Sequence, residues 1–467
     1  MLERLANVDI RTALTDNHLF ANQFKGESWD NWKALIYTFY GLKLTKSERK
    51  LSNALTNRSG TSPAFAELWL VVGRRGGKSN ISALLAIYEA YFVDHSEKLA
   101  AGEVATVFVI AANMKQARSV MRYIKGLIDS TPMLKAMVLK SSADTIELSN
   151  NTVIEIMAAS FKSIRGYTVS CAILDEVAFW SDGGANPDKE IINAIRPSLA
   201  TLNGKLICLS SPYARKGVLW TAYKNYFGKE LSKHVLVAQA PSLLMNKTLP
   251  KRVVEQAYKE DEASAAAEYG AQFRLDIETF INREVVESLV VPKRIELPFI
   301  PDNKYKAFTD PSGGSKDAFT LAISHKEGNT IVLDAVRAIR PPFSPEQVIH
   351  DFCELLKEYD IKAVTGDRYA GEFPRELFFK RGIRYDLSKK TKSELYRDLL
   401  PVLNSGFIEL LDNEQMVNEL VGLERKTARG GRDSIDHAPN SHDDLINAAA
   451  GAIDLCHKPT ARFVFAC

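Results

Sequence analysis

Val71-Val72-Gly73-Arg74-Arg75-Gly76-Gly77-Lys78-Ser79 joins an apolar run, LWLVVG at 68–73, to a segment with helical periodicity at 79–91. A loop that wraps phosphates needs glycines, so that backbone N–H groups can converge on the oxygens. It also needs the dipole of the following helix, a lysine for the outer phosphates and a hydroxyl for Mg²⁺. Gly76, Gly77, Lys78 and Ser79 supply these, with Gly73, Arg74 and Arg75 completing the loop. The usual first glycine of G-x-x-x-x-G-K-[ST] falls at Val72, and Gly73 stands one place late, so the loop is a variant. An ordinary glycine-rich turn between strand and helix reads the same locally, and the surroundings must separate the two.

Outward from the loop, the runs ATVFVIAA (105–112), CAILDE (171–176) and KLICLSS (205–211) read as buried parallel strands. With helical periodicity at 114–129, the alternation predicts an α/β fold, a parallel sheet with helices on its faces. The strand at 171–176 ends in two carboxylates. Asp175 suits a magnesium ion held through water, and Glu176 suits polarising an attacking water. An Asp-Glu pair at a strand end also starts helices. The strand at 105–112 lies in the chain between loop and carboxylates, where a nucleotidase with an extra strand between them would place it. Together these features favour ATP binding. Ser210 and Ser211 close the next strand, where hydroxyls can sense a terminal phosphate; a plain Ser-Pro turn fits equally. Arginines stabilise phosphoryl transfer. Arg74 and Arg75 lie inside the loop, while Arg165, eleven residues before Glu176, reads from spacing alone as a surface residue.

The second half has another rhythm. YKAFTD, FTLAISHKEG and NTIVLDAVRAI are three strand-like runs, followed by a helical segment, SPEQVIHDFCELLKEYD, and a further strand, IKAVTGD. Three meandering strands, helix, strand is a ribonuclease-H-like order. Asp310 closes the first strand, Asp367 closes the fourth, and Asp443 and Asp444 open the alanine-rich segment DDLINAAAGAIDL. Hydrolysis of phosphodiesters by two Mg²⁺ or Mn²⁺ ions needs hard oxygen ligands from separated segments. Neighbours on a helix differ by about 100°, so one of Asp443 and Asp444 ligates, with Asp444 favoured; the other caps the helix or acts behind it. Capping and turn carboxylates are the competing reading for any single one. His442 and Asp317 are minor candidates. Arg425, Lys426, Arg429 and Arg432 form a basic, glycine-bearing stretch that suits contact with a DNA backbone; a solvated loop is the alternative.

Composition sets wide bounds. With 467 residues, two large domains are expected. The net charge of +3 neither demands nor excludes nucleic acid. Five scattered cysteines without C-x-x-C spacing argue against structural zinc and fit a reducing compartment. No run is long enough to span a bilayer, and the first residues do not read as a secretion signal.

In order and spacing, GRRGGKS, SIRG, CAILDE, LSSP, FTDPSGG, TGDRYAGEF and IDHAPNSHDDLINAAAGAI resemble the large terminase subunits of tailed phages, over roughly residues 29–455. The resemblance implies an N-terminal ASCE-type P-loop ATPase with a small lid and a C-terminal RNase-H-like nuclease. The expected division is 1–60 as a leading, adenine-side segment, 61–275 as ATPase core with lid, 276–303 as linker and 304–467 as nuclease domain. By motif position, Lys78 and Ser79 match the phosphate-loop pair and Arg74 the loop arginine. Asp175 and Glu176 match the magnesium and water-activating carboxylates, and Arg165 an arginine acting on a neighbouring subunit's ATP. Ser210 and Ser211 match the coupling motif, and Asp310, Asp367 and Asp444 or Asp443 the nuclease ligands. Implied with them are ATP and Mg²⁺ or Mn²⁺ as cofactors, with two ions in the nuclease. The implied partners are double-stranded DNA, a procapsid portal protein and a small terminase subunit. A homo-oligomeric ring without membrane contact, in the host cytoplasm and transiently at the portal, completes the expectation. The adenine-binding glutamine common in the family is missing from 28–33, which leaves Trp29 or Trp32 as stacking candidates. A helicase–nuclease of DNA repair is the second enzymatic reading, and a non-catalytic DNA-binding adaptor the third.

Overall fold

A computed structural model of the chain describes residues 8–60, 63–159, 166–180, 187–312, 317–367, 373–427, 433–439 and 441–457. The chain divides into two compact units, residues 1–275 and 276–467. Among the described residues no helix is long and apolar enough to cross a membrane.

The first unit is built on β1 (Glu67–Val72), β2 (Ala105–Ala111), β3 (Val138–Ser141), β4 (Thr145–Leu148), β5 (Thr152–Ala158), β6 (Thr168–Asp175), β7 (Lys205–Ser210) and β8 (Val235–Ala240). Among the described residues they form one sheet in the order β3-β4-β5-β2-β6-β7-β1-β8. From β5 to β8 the pairs are parallel, while β4 and β3 finish one edge antiparallel. The strands read as continuous apolar runs because both faces are covered. Leu68, Leu70 and Val72 enter one core, Trp69 and Val71 the other, the period-two alternation of a strand. The strand between β1 and β6 is β7; β2 lies on the far side of β6. The expectation that residues 105–112 supply the intervening strand is therefore corrected. Position in the chain does not set position in the sheet, because each parallel connection must cross over and may skip a place.

The helix Lys78–Tyr91 runs from the loop after β1 and is buried along most of its length. Near its far end Glu89 is 2% exposed and accepts a 2.5 Å hydrogen bond from Tyr40 Oη. Burial pushes its carboxyl from 4.5 up to about 7, against the pull of the Tyr40 hydroxyl and the Lys205 charge. Below pH 4.5 the group is protonated in both folded and unfolded chains. Between 4.5 and 7 only the folded chain keeps the proton, so its contribution to stability falls as pH rises through that window. A gap of this size corresponds to roughly 3 kcal/mol. Glu89→Gln should therefore melt increasingly above the parent between pH 5 and pH 8, with the difference growing by several degrees. A melting difference that stays constant with pH would refute the buried, proton-holding carboxyl.

The second unit contains β9 (Ile277–Thr279), β10 (Lys306–Asp310), β11 (Phe319–Glu327), β12 (Thr330–Ile339), β13 (Ala363–Gly366), β14 (Arg384–Leu387), β15 (Ile408–Glu409), β16 (Leu423–Thr427) and β17 (Asp433–His437). Its main sheet runs β14-β13-β10-β11-β12-β15, with β17-β16-β9 as a small second sheet. The pairs β10/β11 and β11/β12 are antiparallel, and β13 returns parallel beside β10 after the helix Pro345–Glu358. A three-strand meander followed by a crossover to the far side of its first strand is the RNase-H-like order. The helix Asp444–Cys456 packs on β10 and β11, where a side chain at Gly451 would collide with the Phe308 ring. That close approach brings the N-terminal end of the helix to the end of β10. Residues 276–303, expected as a linker, carry β9 and the helix Arg283–Leu289, whose Val286 and Leu289 enter this unit's core. A seven-residue helix is two turns long, too short to announce itself by periodicity.

Candidate active sites

The loop after β1 turns on two left-handed residues, Arg75 at φ +63° and Gly77 at φ +95°. A Cβ on Gly76 would come within 2.7 Å of Val72 Cγ1, so the tight turn excludes any side chain there. Lys78 is buried and donates to the Val72 carbonyl at 3.0 Å, while its Nζ also lies 3.2 Å from Glu176 Oε1. Asp175 ends β6, and Glu176 follows in the left-handed region at φ +53°. That conformation costs a non-glycine residue about 1–3 kcal/mol and persists only where its surroundings enforce it. The enforcers are Ser210 and Ser211 at the end of β7. Ser211 donates its N–H at 3.1 Å and its hydroxyl at 3.3 Å to Glu176 Oε2, and Ser210 Oγ stands 3.0 Å from the same oxygen. The two serines thus face the acidic residue itself.

Asp175 is nearly buried, and its Oδ1 has no hydrogen-bond partner among the described residues. Burial first, then the neighbouring Glu176 charge, raise its carboxyl, with Lys78 pulling the other way. An orphaned, crowded carboxylate oxygen at a strand end beside a phosphate loop fits a hydrated magnesium ion.

Arg74 is exposed. Its guanidinium pairs with Glu268 at 2.9 Å and its N–H donates to the Glu268 carbonyl at 2.5 Å. Trp32 is 1% exposed and donates its indole N–H to the Gly76 carbonyl at 2.9 Å. It has no free face for a base, which corrects its candidacy for adenine. Trp29 is half-buried and meets the Phe24 ring edge-on. Arg165 lies outside the described residues.

In the second unit Asp310 ends β10, Asp367 follows β13 and Asp444 opens the helix Asp444–Cys456. Asp310 Oδ2 accepts from Asn447 Nδ2 at 2.7 Å. Burial pushes Asp310 up to about 7, helped by the charges of Asp367, Asp444 and Asp443 and opposed by Asn447. Asp444 is raised too, mainly by burial, although Ala318 donates its N–H to Oδ2 at 2.9 Å. Asp443 is differently placed: Tyr396 donates its hydroxyl to Oδ2 at 2.9 Å and Lys392 Nζ lies 3.0 Å from the same atom. Its charge is answered from within the protein, whereas Asp310 feels the charges of Asp367, Asp444 and Asp443 together. Carboxylates from three separate segments crowded at Asp310, beside the buried Asn447 Oδ1 that has no partner among the described residues, suit divalent metal. Asp317 and His442 can each bring a ligand atom within 4.8 Å of one on Asp444.

Several residues here escaped the sequence reading. Asn447 carried a signal, being a lone polar residue three places after Asp444 on an otherwise apolar helix face. Glu419 carried none: from another helix it accepts the N–H groups of Leu445 and Ile446, both at 2.9 Å. Among the basic candidates, Arg425 Nε donates to Asp433 Oδ2 at 2.7 Å across the β16–β17 pair. Lys426 sits on the same strand, and Arg429 and Arg432 lie outside the described residues.

A glycine loop, a buried lysine at the head of a helix, a β6 ending in Asp175 with Glu176 next, and a strand between β1 and β6 define the first unit as a P-loop fold. The family model described as "Uncharacterized protein MJ0330, N-terminal P-loop domain" matches residues 40–271. No curated protein matches the chain. Among solved structures the chain is similar to the large terminase of bacteriophage HK97, at 16% identity over 91% of this chain and 99% of that one, with a TM-score of 0.39. It is also similar to the large terminase nuclease of thermophilic phage G20c, at 16% identity over 36% of this chain and 95% of that one, with a TM-score of 0.33.

Proposed function

We propose that the protein is a terminase-like motor and nuclease: ATP hydrolysis in the first unit advances duplex DNA into a procapsid, and the second unit cuts concatemeric DNA. The observation that carries this reading is the pairing, in one chain, of Lys78 and Glu176 at a phosphate loop with Asp310, Asp367 and Asp444 at strand ends and a helix start of an RNase-H-like unit. In the first unit Gly76, Gly77 and Lys78 would receive the phosphates, and Glu176 would take the proton of the attacking water. Ser79 and Asp175 would hold magnesium, which when bound offsets charge developing on the phosphoryl oxygens. Departure of Lys78 from Glu176 toward phosphate would free Oε1 for that water, while Ser210 and Ser211 keep the carboxylate aimed. In the second unit Asp310, Asp367 and Asp444 would hold divalent ions, which when bound make water a nucleophile near neutral pH. Double-stranded DNA, a portal protein and a small subunit belong to this proposal as partners. So do a ring of copies and a place in the host cytoplasm, transiently at the portal.

The test uses the purified full chain. ATP turnover stimulated by duplex DNA, plasmid cleavage that needs Mg²⁺ or Mn²⁺ and stops with EDTA, and displacement of a triplex-forming strand from intact duplex are expected. Unwinding of forked DNA in place of triplex displacement would replace the packaging reading with a repair helicase–nuclease.

A further inference from the structure

Three consecutive carbonyls of the phosphate loop are each held from outside by a side-chain donor. Ser242 Oγ donates to Arg74 O at 2.6 Å, Asn246 Nδ2 to Arg75 O at 2.9 Å and Trp32 Nε1 to Gly76 O at 2.9 Å. In a planar trans peptide the carbonyl and the N–H of the next residue point in opposite directions. Fixing the Arg74 and Gly76 carbonyls outward therefore turns the N–H groups of Arg75 and Gly77 inward, and among the described residues neither donates to an acceptor. The middle peptide is fixed at both ends, since Gly76 N–H donates to the Gly73 carbonyl at 3.2 Å. The donors come from far along the chain, Trp32 from the helix Asp30–Phe39 and Ser242 and Asn246 from the segment after β8. They are themselves braced, as Asn31 Nδ2 donates to Leu244 O at 2.8 Å and Ser242 N to Tyr269 O at 2.8 Å.

We infer that Trp32, Ser242 and Asn246 are positioning residues that preset the loop for a polyphosphate, holding two free N–H groups toward it before it arrives. This rests on the nucleotide-binding reading of the first unit and assigns a role to residues outside the phosphate-loop motif. Preorganisation of this kind acts on affinity for phosphate and is indifferent to the base.

The full chain is titrated by calorimetry with the magnesium complexes of a non-hydrolysable ATP analogue and of inorganic tripolyphosphate. Trp32→Phe, which removes the N–H and keeps an aromatic ring, should weaken both by the same factor, about tenfold for one lost buried hydrogen bond. Because Trp32 lies in the core, Asn246→Ala, at a part-buried position, provides an independent variant with the same expectation. Unchanged affinities in folded variants would overturn the inference. So would a loss confined to the ATP analogue, which would assign Trp32 to the base. If the parent binds neither ligand, the nucleotide reading itself falls, and the inference with it.

Discussion

Glu176→Gln should lower ATP turnover by about a thousandfold, within the range usual for loss of a general base, while nucleotide affinity and metal-dependent DNA cleavage remain. Glutamine matches glutamate in shape and in tolerance of the left-handed backbone at φ +53°. Its carbonyl can still accept the Ser211 N–H that holds Glu176 Oε2 at 3.1 Å. What it lacks is a site for the proton of the attacking water. The nearest acidic alternative, Asp175, is nearly buried and sits where magnesium would be held. Turnover is measured with and without duplex DNA, and affinity separately with the ATP analogue. Retained turnover would move the base elsewhere; loss of turnover together with affinity would mean that the Lys78–Glu176 contact at 3.2 Å shapes the empty loop. Because the nuclease carboxylates belong to the other unit, cleavage of plasmid serves as an internal control for folding.

What could be read from the chain alone were contiguous features. GRRGGKS and CAILDE each place a loop or a carboxylate at a strand end by local chemistry, and the structure puts Lys78 and Glu176 side by side. The rhythm of strands after residue 304 likewise yields the sheet in which β10 and β13 adjoin, which puts Asp310 and Asp367 at neighbouring strand ends. Spatial order in the first sheet was not legible, because the handedness of crossovers does not say how many places a connection skips; β7, not β2, separates β1 from β6. The holders of the loop were invisible for a related reason. Asn246 meets Arg75 across 171 residues and Trp32 meets Gly76 across 44, and no local pattern marks either. Nor does any local pattern tie Arg74 to Glu268, 194 residues on, whose carboxylate accepts from its guanidinium.

Asp310→Ala should abolish plasmid cleavage, by about a thousandfold or more if a metal ligand essential to the nucleophile is lost, and leave DNA-stimulated ATP turnover in place. The argument turns on how the carboxylate is held. Among the described residues the Asp310 carboxylate keeps one hydrogen bond, from Asn447, against burial and the repulsion of Asp367, Asp444 and Asp443. Lys392 pairs with Asp436 and Asp443, and His442 lies on the Asp444 side, so among the described residues no cation pairs with Asp310. A cation bound there should be seen as stability as well as activity. At a hundred times its dissociation constant, Mn²⁺ would stabilise the folded unit by about 2.7 kcal/mol, a shift in melting that Asp310→Ala should lose. Asp443→Asn separates the two acids that open the helix. Its oxygens already serve Tyr396 and Lys392, so it should keep most of the Mn²⁺ shift, whereas Asp444→Asn should lose it. If Asp443→Asn removed the shift and Asp444→Asn did not, the ligand assignment at the helix start would have to be exchanged. If the parent showed neither shift nor cleavage with Mn²⁺ or Mg²⁺, the carboxylates would be structural, and only the ATPase half of the proposal would survive.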